Sequence, residues 1–409
     1  MSRILVTYGW CRTAYVAVQS LASRGHDVYV CSHLQPSMAA WSRFCTASAR
    51  VADHVQAPEA FIQDVISLVQ RWKIDAILPC HEDSLTLRRH EQTLPGGVVL
   101  ACPSLPLLEQ GVDKATVTRL AVEEDIRVPT TQFPADLEEA ERHAHEIGFP
   151  LVVKLRQSNS AKGVTVVDNP EALHDTLSKP PFLSVAADDA GFPILQAYIP
   201  GDVVGACFLA IAGQVVAFFG ERYLRAKSKG MGTSTFREPF SSEALRHQVD
   251  RLVSRLRWEG IGHFDFIENP ATGEFSLLEM NPRLWGALNL ARVNGLEFPA
   301  ASVALALGET DFETFFPPMP QPPKRSLWLL GEGIRCLDLM ASRQWREVFG
   351  VPREVLGSLR ATPCDDWHWK DPLPFLAEVL CYAKGYVRSG GNVNPVVPDV
   401  PSSTLSRTS

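Results

Sequence analysis

The stretch LLEMNPRLWG, residues 277–286, places three polar side chains at alternate positions directly after an apolar run: Glu279, Asn281 and Arg283. Alternate side chains of a β-strand point to the same side. A carboxylate, an amide and a guanidinium would therefore share one face. Two explanations stay open at this point: the solvated face of an edge hairpin, or a face turned toward a charged ligand or ion.

The residues before this stretch extend the pattern. GHFDFIENPATGEFSLLEMNP, residues 262–282, predicts a β-hairpin that turns at residues 269–273. Folded about the middle of that turn, the hairpin would bring Asp265 diagonally across from Glu279. Oxygen ligands of this kind suit Mg²⁺, which is held partly by water and by substrate phosphates. We therefore expect a metal site at Asp265, Glu279 and Asn281, with Arg283 one step further on to meet an anion.

Two segments carry lysines at the start or end of a predicted element. LVVKLRQSNSAKGV, residues 151–164, ends a strand at Lys154 and continues into a Ser/Gly-containing loop whose backbone N–H groups can face an anion. VDKATVTRLA, residues 112–121, begins a helix at Lys114 directly after Asp113, a good N-cap residue. Taken alone, such a loop is more often an ordinary hairpin turn, and such a lysine is more often an ordinary helix start.

Two more segments are candidates for ligand contacts. LQAYIPGD, residues 195–202, is extended backbone that can hydrogen-bond a nucleotide base, and it is followed by the carboxylate of Asp202. GERYLRAKSKGMGTST, residues 220–235, predicts a basic, glycine-bearing loop that can act as a mobile anion clamp or as a solvated surface loop. Its cations are Arg222, Arg225, Lys227 and Lys229.

Composition excludes several classes of protein. The 409 residues predict two or three domains, and 45% apolar with 21% charged residues is typical of a soluble globular protein. A net charge of −7 argues against a nucleic-acid partner. Nine cysteines without a CxxC pair indicate reduced thiols in a cytoplasmic protein, and no structural zinc is expected. We expect no signal peptide and no membrane span.

The order of predicted elements divides the chain. Residues 1–112 alternate strands and helices, which predicts a parallel α/β sheet, and the first βα turn has only Gly9 instead of the G-x-G-x-x-G of a nicotinamide or flavin site. Residues 113–310 predict a second, α+β domain. A proline-rich linker (311–325), a mostly helical segment (326–390) and a disordered tail (391–409) follow.

Together, in this order, the motifs resemble the ATP-grasp superfamily, in the branch of biotin carboxylase, carbamoyl-phosphate synthetase and the carboxylate–amine ligases. The resemblance covers about residues 1–310, and LLEMNPRLWG is its most specific motif. The first 112 residues are similar to the accompanying pre-ATP-grasp domain. No second ATP-grasp copy and no biotin-carrying MKM segment is present, which argues against a carbamoyl-phosphate or biotin-carboxylase role.

The resemblance implies a role for each motif residue. Lys114 and Lys154 would contact the α- and β-phosphates of ATP, and a loop containing Ser158, Ser160 and Gly163 would cover the triphosphate. Gln196, Ala197 and Ile199 would frame adenine, and Asp202 would bind ribose. Asp265, Glu279 and Asn281 would hold Mg²⁺ or Mn²⁺, and Arg283 would stabilise an acyl-phosphate or its tetrahedral successor. Arg225, in the basic segment, is the candidate for binding the acid substrate, and residues 128–197 would form a lid.

Three positions depart from the family pattern. Gln196 stands where glutamate is usual, Asp265 stands where the longer glutamate is usual, and the phosphate loop has fewer glycines. Nucleotide preference and lid contacts therefore stay open.

The implied activity is that of an ADP-forming ligase that activates a small carboxylate as an acyl-phosphate and couples it to an amine. Alternatives are activation of bicarbonate or an enol, and a nucleotide sensor without chemistry. The helical segment after residue 325 would cover the site or form a homodimer surface.

Overall fold

The computed structural model describes residues 1–158, 163–183, 191–228, 231–359 and 362–388, and its strands form three sheets. The strands are β1 (Arg3–Val6), β2 (Asp27–Ser32), β3 (Ala47–Arg50), β4 (Ala76–Leu78), β5 (Val99–Leu100), β6 (Thr131–Gln132), β7 (Leu151–Lys154), β8 (Val164–Val167), β9 (Ile194–Ala197), β10 (Asp202–Ile211), β11 (Gln214–Ser228), β12 (Met231–Phe240), β13 (Gly260–Glu268), β14 (Phe275–Asn281) and β15 (Ser326–Leu327). The helices are α1 (Arg12–Ser23), α2 (Pro58–Trp72), α3 (Asp83–Arg89), α4 (Leu105–Val112), α5 (Lys114–Glu123), α6 (Leu137–Ile147), α7 (Pro170–Leu177), α8 (Glu243–Leu256), α9 (Leu288–Val293), α10 (Phe298–Ala306), α11 (Leu329–Ala341), α12 (Trp345–Leu359) and α13 (Leu373–Arg388).

The first sheet is parallel, as the alternation of strands and helices predicts. Its order is β3-β2-β1-β4-β5. The order reverses between β1 and β4, and in open parallel sheets ligands bind beside the carboxyl ends of the strands at such a point. The loops after β1 and β4 therefore frame a candidate crevice.

The second sheet is small and antiparallel, in the order β6-β9-β7-β8. Helices α6 and α7 supply the apolar side chains that pack with its inner face, among them Ala140, Ala144 and Leu173. This unit lies within residues 128–197, for which the sequence predicts a lid.

The third sheet is antiparallel, in the order β14-β13-β10-β11-β12-β15, and it carries the predicted metal hairpin. Alternation along its long strands gives each of them two faces. One face packs Phe208, Phe264 and Phe266 with Val249 of α8 and its neighbours. On the opposite face of β13, His263 and Asp265 point away from that core. The polar face is the one that a site can use.

The chain after residue 310 is more tightly packed than a linker and a helical segment would be. The stretch predicted as a linker buries Phe312 and Phe315. The segment beyond it contains three helices among its described residues, and its first residues form β15 and extend the third sheet through Arg237↔Ser326. The predicted disordered tail, 391–409, lies outside the described residues.

Among the described residues, no helix combines the length and the apolar character needed to cross a membrane.

Candidate active site

The metal hairpin forms with the turn that the sequence predicts. The backbone N–H of Gly273 donates to the carbonyl oxygen of Asn269 at 2.8 Å, between β13 and β14. One detail of the prediction is wrong: Asp265 lies directly opposite Glu279 instead of diagonally, because the register shifts after Asp265. The Nδ2 of Asn281 donates to Oδ2 of Asp265 at 3.0 Å. The three predicted metal ligands therefore share one face.

The two carboxylates have unequal electrostatics. Burial raises the pKa of Asp265, the nearby carboxylates of Glu279 and Glu221 add to the rise against the opposing effect of His263, and the result is about 6. Burial also acts to raise the pKa of Glu279, but Lys114 and Lys154 outweigh it and lower that pKa. Two partly buried carboxylates that face each other repel when both are charged, and a divalent cation between them would relieve that repulsion. The donor set therefore fits Mg²⁺.

The two predicted phosphate lysines converge on this face from different elements. Lys114 begins α5, and its Nζ lies 3.4 Å from Oε2 of Glu279. The same Nζ donates to the carbonyl oxygen of Ser158 at 2.8 Å. Lys154 ends β7, and burial lowers its pKa to about 8 despite the opposing charge of Glu279. Lys114 is 4% exposed and Lys154 7%, so two nearly buried cations flank one carboxylate.

A buried carboxylate holds the loop beside Lys114 in position. The side chain of Asp113 accepts from the backbone N–H of Ala115 and so caps α5. It also accepts from Nε of Arg156 at 3.0 Å. The helix that carries Lys114 is thereby joined to the strand end that carries Lys154.

Gln196 completes this cluster. It is 1% exposed, accepts from Nζ of Lys154 at 2.6 Å and donates to the hydroxyl of Thr131 at 2.9 Å. A glutamate there would place a second negative charge close to Lys154. Glutamine keeps the hydrogen bond and leaves the lysine charge unpaired at that position.

Three of the remaining predicted nucleotide contacts lie where the chain passes from β9 of the second sheet to β10 of the third. Ala197 and Ile199 are partly exposed, and Asp202 is exposed at the first position of β10. Gly163 has φ of 65° and its carbonyl oxygen accepts from the N–H of Leu155. Ser160 lies outside the described residues.

Arg283 links the hairpin to the parallel sheet. It lies just beyond β14, donates from Nε to Oε1 of Glu82 at 2.9 Å, and donates from a terminal nitrogen to Oδ1 of Asn281 at 3.3 Å. Burial raises the pKa of Glu82, but His81 and Arg283 outweigh it, and the pKa lies well below its ordinary value. Sequence reasoning missed Glu82, and its only signal is the polar run His81–Asp83 after strand β4.

A cluster of aromatic rings includes His81, the residue before Glu82. Tyr8, after β1, has φ of 56° and stacks on His81 with ring centroids 4.3 Å apart. His33 and His54 lie 5.4 and 5.7 Å from the same tyrosine ring. A positive φ at a bulky residue is uncommon and persists where surrounding structure imposes it. Sequence reasoning also missed this cluster of rings.

The basic segment is not the loop that the sequence predicts. Residues 222–228 belong to β11, and Lys229 lies outside the described residues. Arg222 pairs with Glu268, and Arg225 donates to the buried carboxylate of Glu332 at 2.8 Å. These ion pairs hold both arginine side chains in place on β11. The mobile anion clamp that the sequence suggests is therefore not what the structure shows at these two residues.

Comparisons with known proteins agree with the observed fold. No family model matches the chain. The carbamoyl phosphate synthase large chain of Rubrobacter xylanophilus is 24% identical over 267 residues, which cover 61% of this chain and 25% of that protein. Biotin carboxylase of Campylobacter jejuni, in a βγ-ATP complex, superposes with a TM-score of 0.64 at 16% identity, over 77% of this chain and 73% of that one.

The chain has a biotin carboxylase-like ATP-grasp fold. A further similar structure is the biotin carboxylase domain dimer of the 2-oxoglutarate carboxylase of Hydrogenobacter thermophilus, with MgADP, ADP and bicarbonate. It has a TM-score of 0.64 at 17% identity, over 77% of this chain and 71% of that one. The chain spans about a quarter of the length of the curated relatives it matches.

Proposed function

We propose that this ATP-grasp protein is an ADP-forming ligase that activates a small carboxylate as an acyl-phosphate and joins it to an amine. One observation carries the proposal. Lys114 and Lys154 converge on Glu279, which lies directly opposite Asp265. Two cations beside an oxygen-only donor pair form a site for a metal-bound triphosphate, whereas a base-binding protein without chemistry would not need it.

Each group of residues has one task in this proposal. The two lysines neutralise the phosphates, and Ser158, Ser160 and Gly163 cover them. Gln196, Ala197 and Ile199 surround the base, and Asp202 accepts from the ribose. These contacts and the closing of residues 128–197 would exclude water from the reacting groups.

Asp265, Glu279 and Asn281 would hold Mg²⁺ or Mn²⁺. A bound divalent cation would neutralise charge on the outer phosphates. The MgADP of the similar Hydrogenobacter structure is in line with this cofactor.

The chemistry takes two displacements. A carboxylate oxygen of the acid attacks the γ-phosphorus of ATP, the bond to the β,γ-bridging oxygen breaks, and ADP leaves. The amine nitrogen then attacks the acyl carbon, phosphate leaves, and the nitrogen loses a proton. Arg283 would stabilise negative charge on the acyl-phosphate oxygens, and Glu82 would hold its guanidinium in place.

The acid and amine would lie between Arg283 and the ring-lined crevice of the parallel sheet. Glu82 bonds Arg283, and the adjacent His81 stacks on Tyr8, so the two surfaces are continuous. Arg225 would contact the acid only if its guanidinium left Glu332, or if it bound Glu332 and the acid together. Its role as an acid-binding residue stays a prediction.

A second candidate is activation of bicarbonate in place of an organic acid. The similar Hydrogenobacter structure contains bicarbonate. The two candidates differ in which compound must be present for ADP to form.

Heavy-oxygen transfer is the test of the proposed function. With the substrate carboxylate labelled with ¹⁸O, we expect one labelled oxygen in the released phosphate, because the attacking oxygen stays with the phosphorus. Mass spectrometry of the phosphate measures this, after a screen of acid and amine pairs for acid-dependent ADP release. Formation of AMP and pyrophosphate, or unlabelled phosphate from an acid that is consumed, would exclude the ligase. ADP release that needs bicarbonate alone would favour the second candidate.

Replacing Lys154 with alanine is expected to weaken ATP binding while the fold survives. Loss of a hydrogen bond to a charged group is worth about 1.5–3 kcal/mol, which is roughly a 10- to 100-fold rise in Kd. Isothermal titration calorimetry measures it. Lys179→Ala is the matched control, because that lysine is exposed on the same small domain and pairs with the exposed Asp175. Equal ATP affinity in folded Lys154→Ala protein and wild type would remove Lys154 from the site.

A further inference from the structure

Three side chains from three neighbouring strands meet beneath the metal hairpin. Cys207 on β10, Glu221 on β11 and His263 on β13 bring one donor atom each within 4.8 Å of one another. All three are buried, with Glu221 and Cys207 at 0% exposure and His263 at 2%. The proposed function assigns none of them a task.

The cluster is polar, buried and without hydrogen-bond partners at the atoms that face inward. Among the described residues, neither carboxylate oxygen of Glu221 has a hydrogen-bond partner, and Nε2 of His263 has none either. The contact between these two side chains, Nε2 to Oε1, is 3.7 Å, too long for a hydrogen bond. Buried polar groups of this kind are rare in folded proteins, and an ion that the structure does not contain is one explanation for them.

The surrounding structure keeps the space open and orients the imidazole. A Cβ at Gly205 would lie 2.7 Å from Nε2 of His263 and 2.8 Å from Oε1 of Glu221, so only glycine leaves room for both side chains. The imidazole stacks on Trp285 with centroids 5.8 Å apart. Its other nitrogen, Nδ1, lies 3.5 Å from Nδ2 of Asn281. Nε2 is thereby left facing Glu221 and Cys207.

The cysteine spacing predicts no structural zinc, but the fold brings these three donors together. We propose that Cys207, Glu221 and His263 bind one zinc-class transition-metal ion, beside the Mg²⁺ site and distinct from it. A sulfur, an imidazole nitrogen and a carboxylate oxygen are the donors that Zn²⁺ takes in proteins. Zinc bond lengths of about 2.0–2.3 Å put tetrahedral ligand atoms roughly 3.3–3.8 Å apart, and the observed 3.7 Å between His263 and Glu221 falls in that range. Binding ionises the thiol, and the released proton goes to solvent.

The ion would link three central strands directly behind the hairpin. Oδ1 of Asp265 lies 3.8 Å from Nε2 of His263, so the two metal sites would adjoin at this point. The two sites differ in chemistry because only the inner one contains sulfur. An all-oxygen site favours Mg²⁺, whereas a thiolate selects zinc-class ions.

Cobalt substitution in the full chain tests the proposal. Protein treated with a chelator and then titrated with Co²⁺, under reducing conditions and in excess Mg²⁺ to occupy the oxygen site, should bind one Co²⁺ per chain. The complex should show the near-ultraviolet absorption of a thiolate–Co²⁺ bond, and Zn²⁺ should abolish that absorption by displacement. If the wild-type protein shows no thiolate–Co²⁺ absorption, the proposal is overturned. This measurement does not depend on whether any variant folds.

Variants assign the ligands. Cys207→Ser should abolish the thiolate absorption, and Cys31→Ser, a buried strand cysteine of the parallel sheet, should keep it. Glu221→Gln and His263→Gln should each lower the affinity for Co²⁺ at least tenfold. These two variants test the site if Cys207→Ser does not fold. Absorption that persists in folded Cys207→Ser, or Co²⁺ affinity that neither Glu221→Gln nor His263→Gln changes, would reassign the metal to other residues and refute the site. Because ADP release is not measured, failure here is distinguishable from failure of the ligase proposal.

Discussion

Replacing Glu279 with glutamine is expected to abolish turnover and leave the protein folded. The change removes one charge and no bulk from a carboxylate that two nearly buried lysines flank. Loss of one preorganised electrostatic group typically lowers kcat by on the order of 10²–10³-fold. Here the loss should reach the upper end, because the same carboxylate is a proposed metal ligand. Acid-dependent ADP release measures activity, and circular dichroism checks the fold.

The same hairpin offers a matched control. Glu274→Gln changes a carboxylate near the turn, where it pairs with Arg127 and both side chains are largely exposed. We expect near-wild-type activity from it. Wild-type protein should also lose activity in excess chelator and regain it with Mg²⁺ or Mn²⁺. Full activity of folded Glu279→Gln protein, or of wild type in chelator, would contradict the assignment of this face to a metal-bound triphosphate.

The hairpin was predictable because its information is local. Side chains two apart on one strand share a face whatever the rest of the fold does, so Glu279 and Asn281 could be placed together from sequence. The turn at residues 269–273 fixed which partner strand faces them. The register shift at Asp265 was not predictable, because a bulge depends on how the two strands twist and pack in the folded sheet.

Local sequence patterns could not predict that the two lysines lie near Glu279; the resemblance suggested a shared role, and the fold brings them together. Lys114 and Lys154 are 40 residues apart in sequence and lie on different elements, and no periodicity relates a helix start to a strand end. What brings them to Glu279 is the docking of α5 and the small sheet on the hairpin side of the third sheet. Asp113, which caps α5 and binds Arg156, is a visible part of that docking.

Glu82, Glu332 and the ring cluster could not be found from the sequence. Arg283 meets Glu82 across 201 positions, and Arg225 meets Glu332 across 107. A lone glutamate after a strand or in an amphipathic helix gives no signal of such a partner. Strands β3 and β15 were missed for a related reason: they are four and two residues long, and their pairing partners supply most of what makes them strands.

Replacing Asp365 with asparagine is expected to cause a large loss of folding stability. Its Oδ2 accepts from both terminal nitrogens of Arg237 at 2.6 Å, and the side chains of Arg237 and Asp365 are 0% and 1% exposed. Asparagine would leave a buried guanidinium without its counter-charge. Breaking a buried pair in this way costs about 3–5 kcal/mol. The loss should appear as a lower urea midpoint for unfolding.

The neighbouring residue of β12 gives a contrast that isolates burial as the cause. Glu238 pairs with Arg325 across β12 and β15 at 2.7 Å, but these side chains are 26% and 54% exposed. Exposed pairs contribute about 0–1 kcal/mol, so Glu238→Gln should shift the midpoint little. Both pairs join the third sheet to the chain after residue 320, and they differ mainly in access to water. If Asp365→Asn unfolds at the wild-type urea concentration, or if the two variants lose equal stability, the buried pair does not hold the C-terminal segment on the sheet. The segment would then be held there by other polar contacts, among them the bonds from Nδ2 of Asn289 to Oδ1 of Asp365 and from the N–H of Asp365 to the carbonyl oxygen of Leu327.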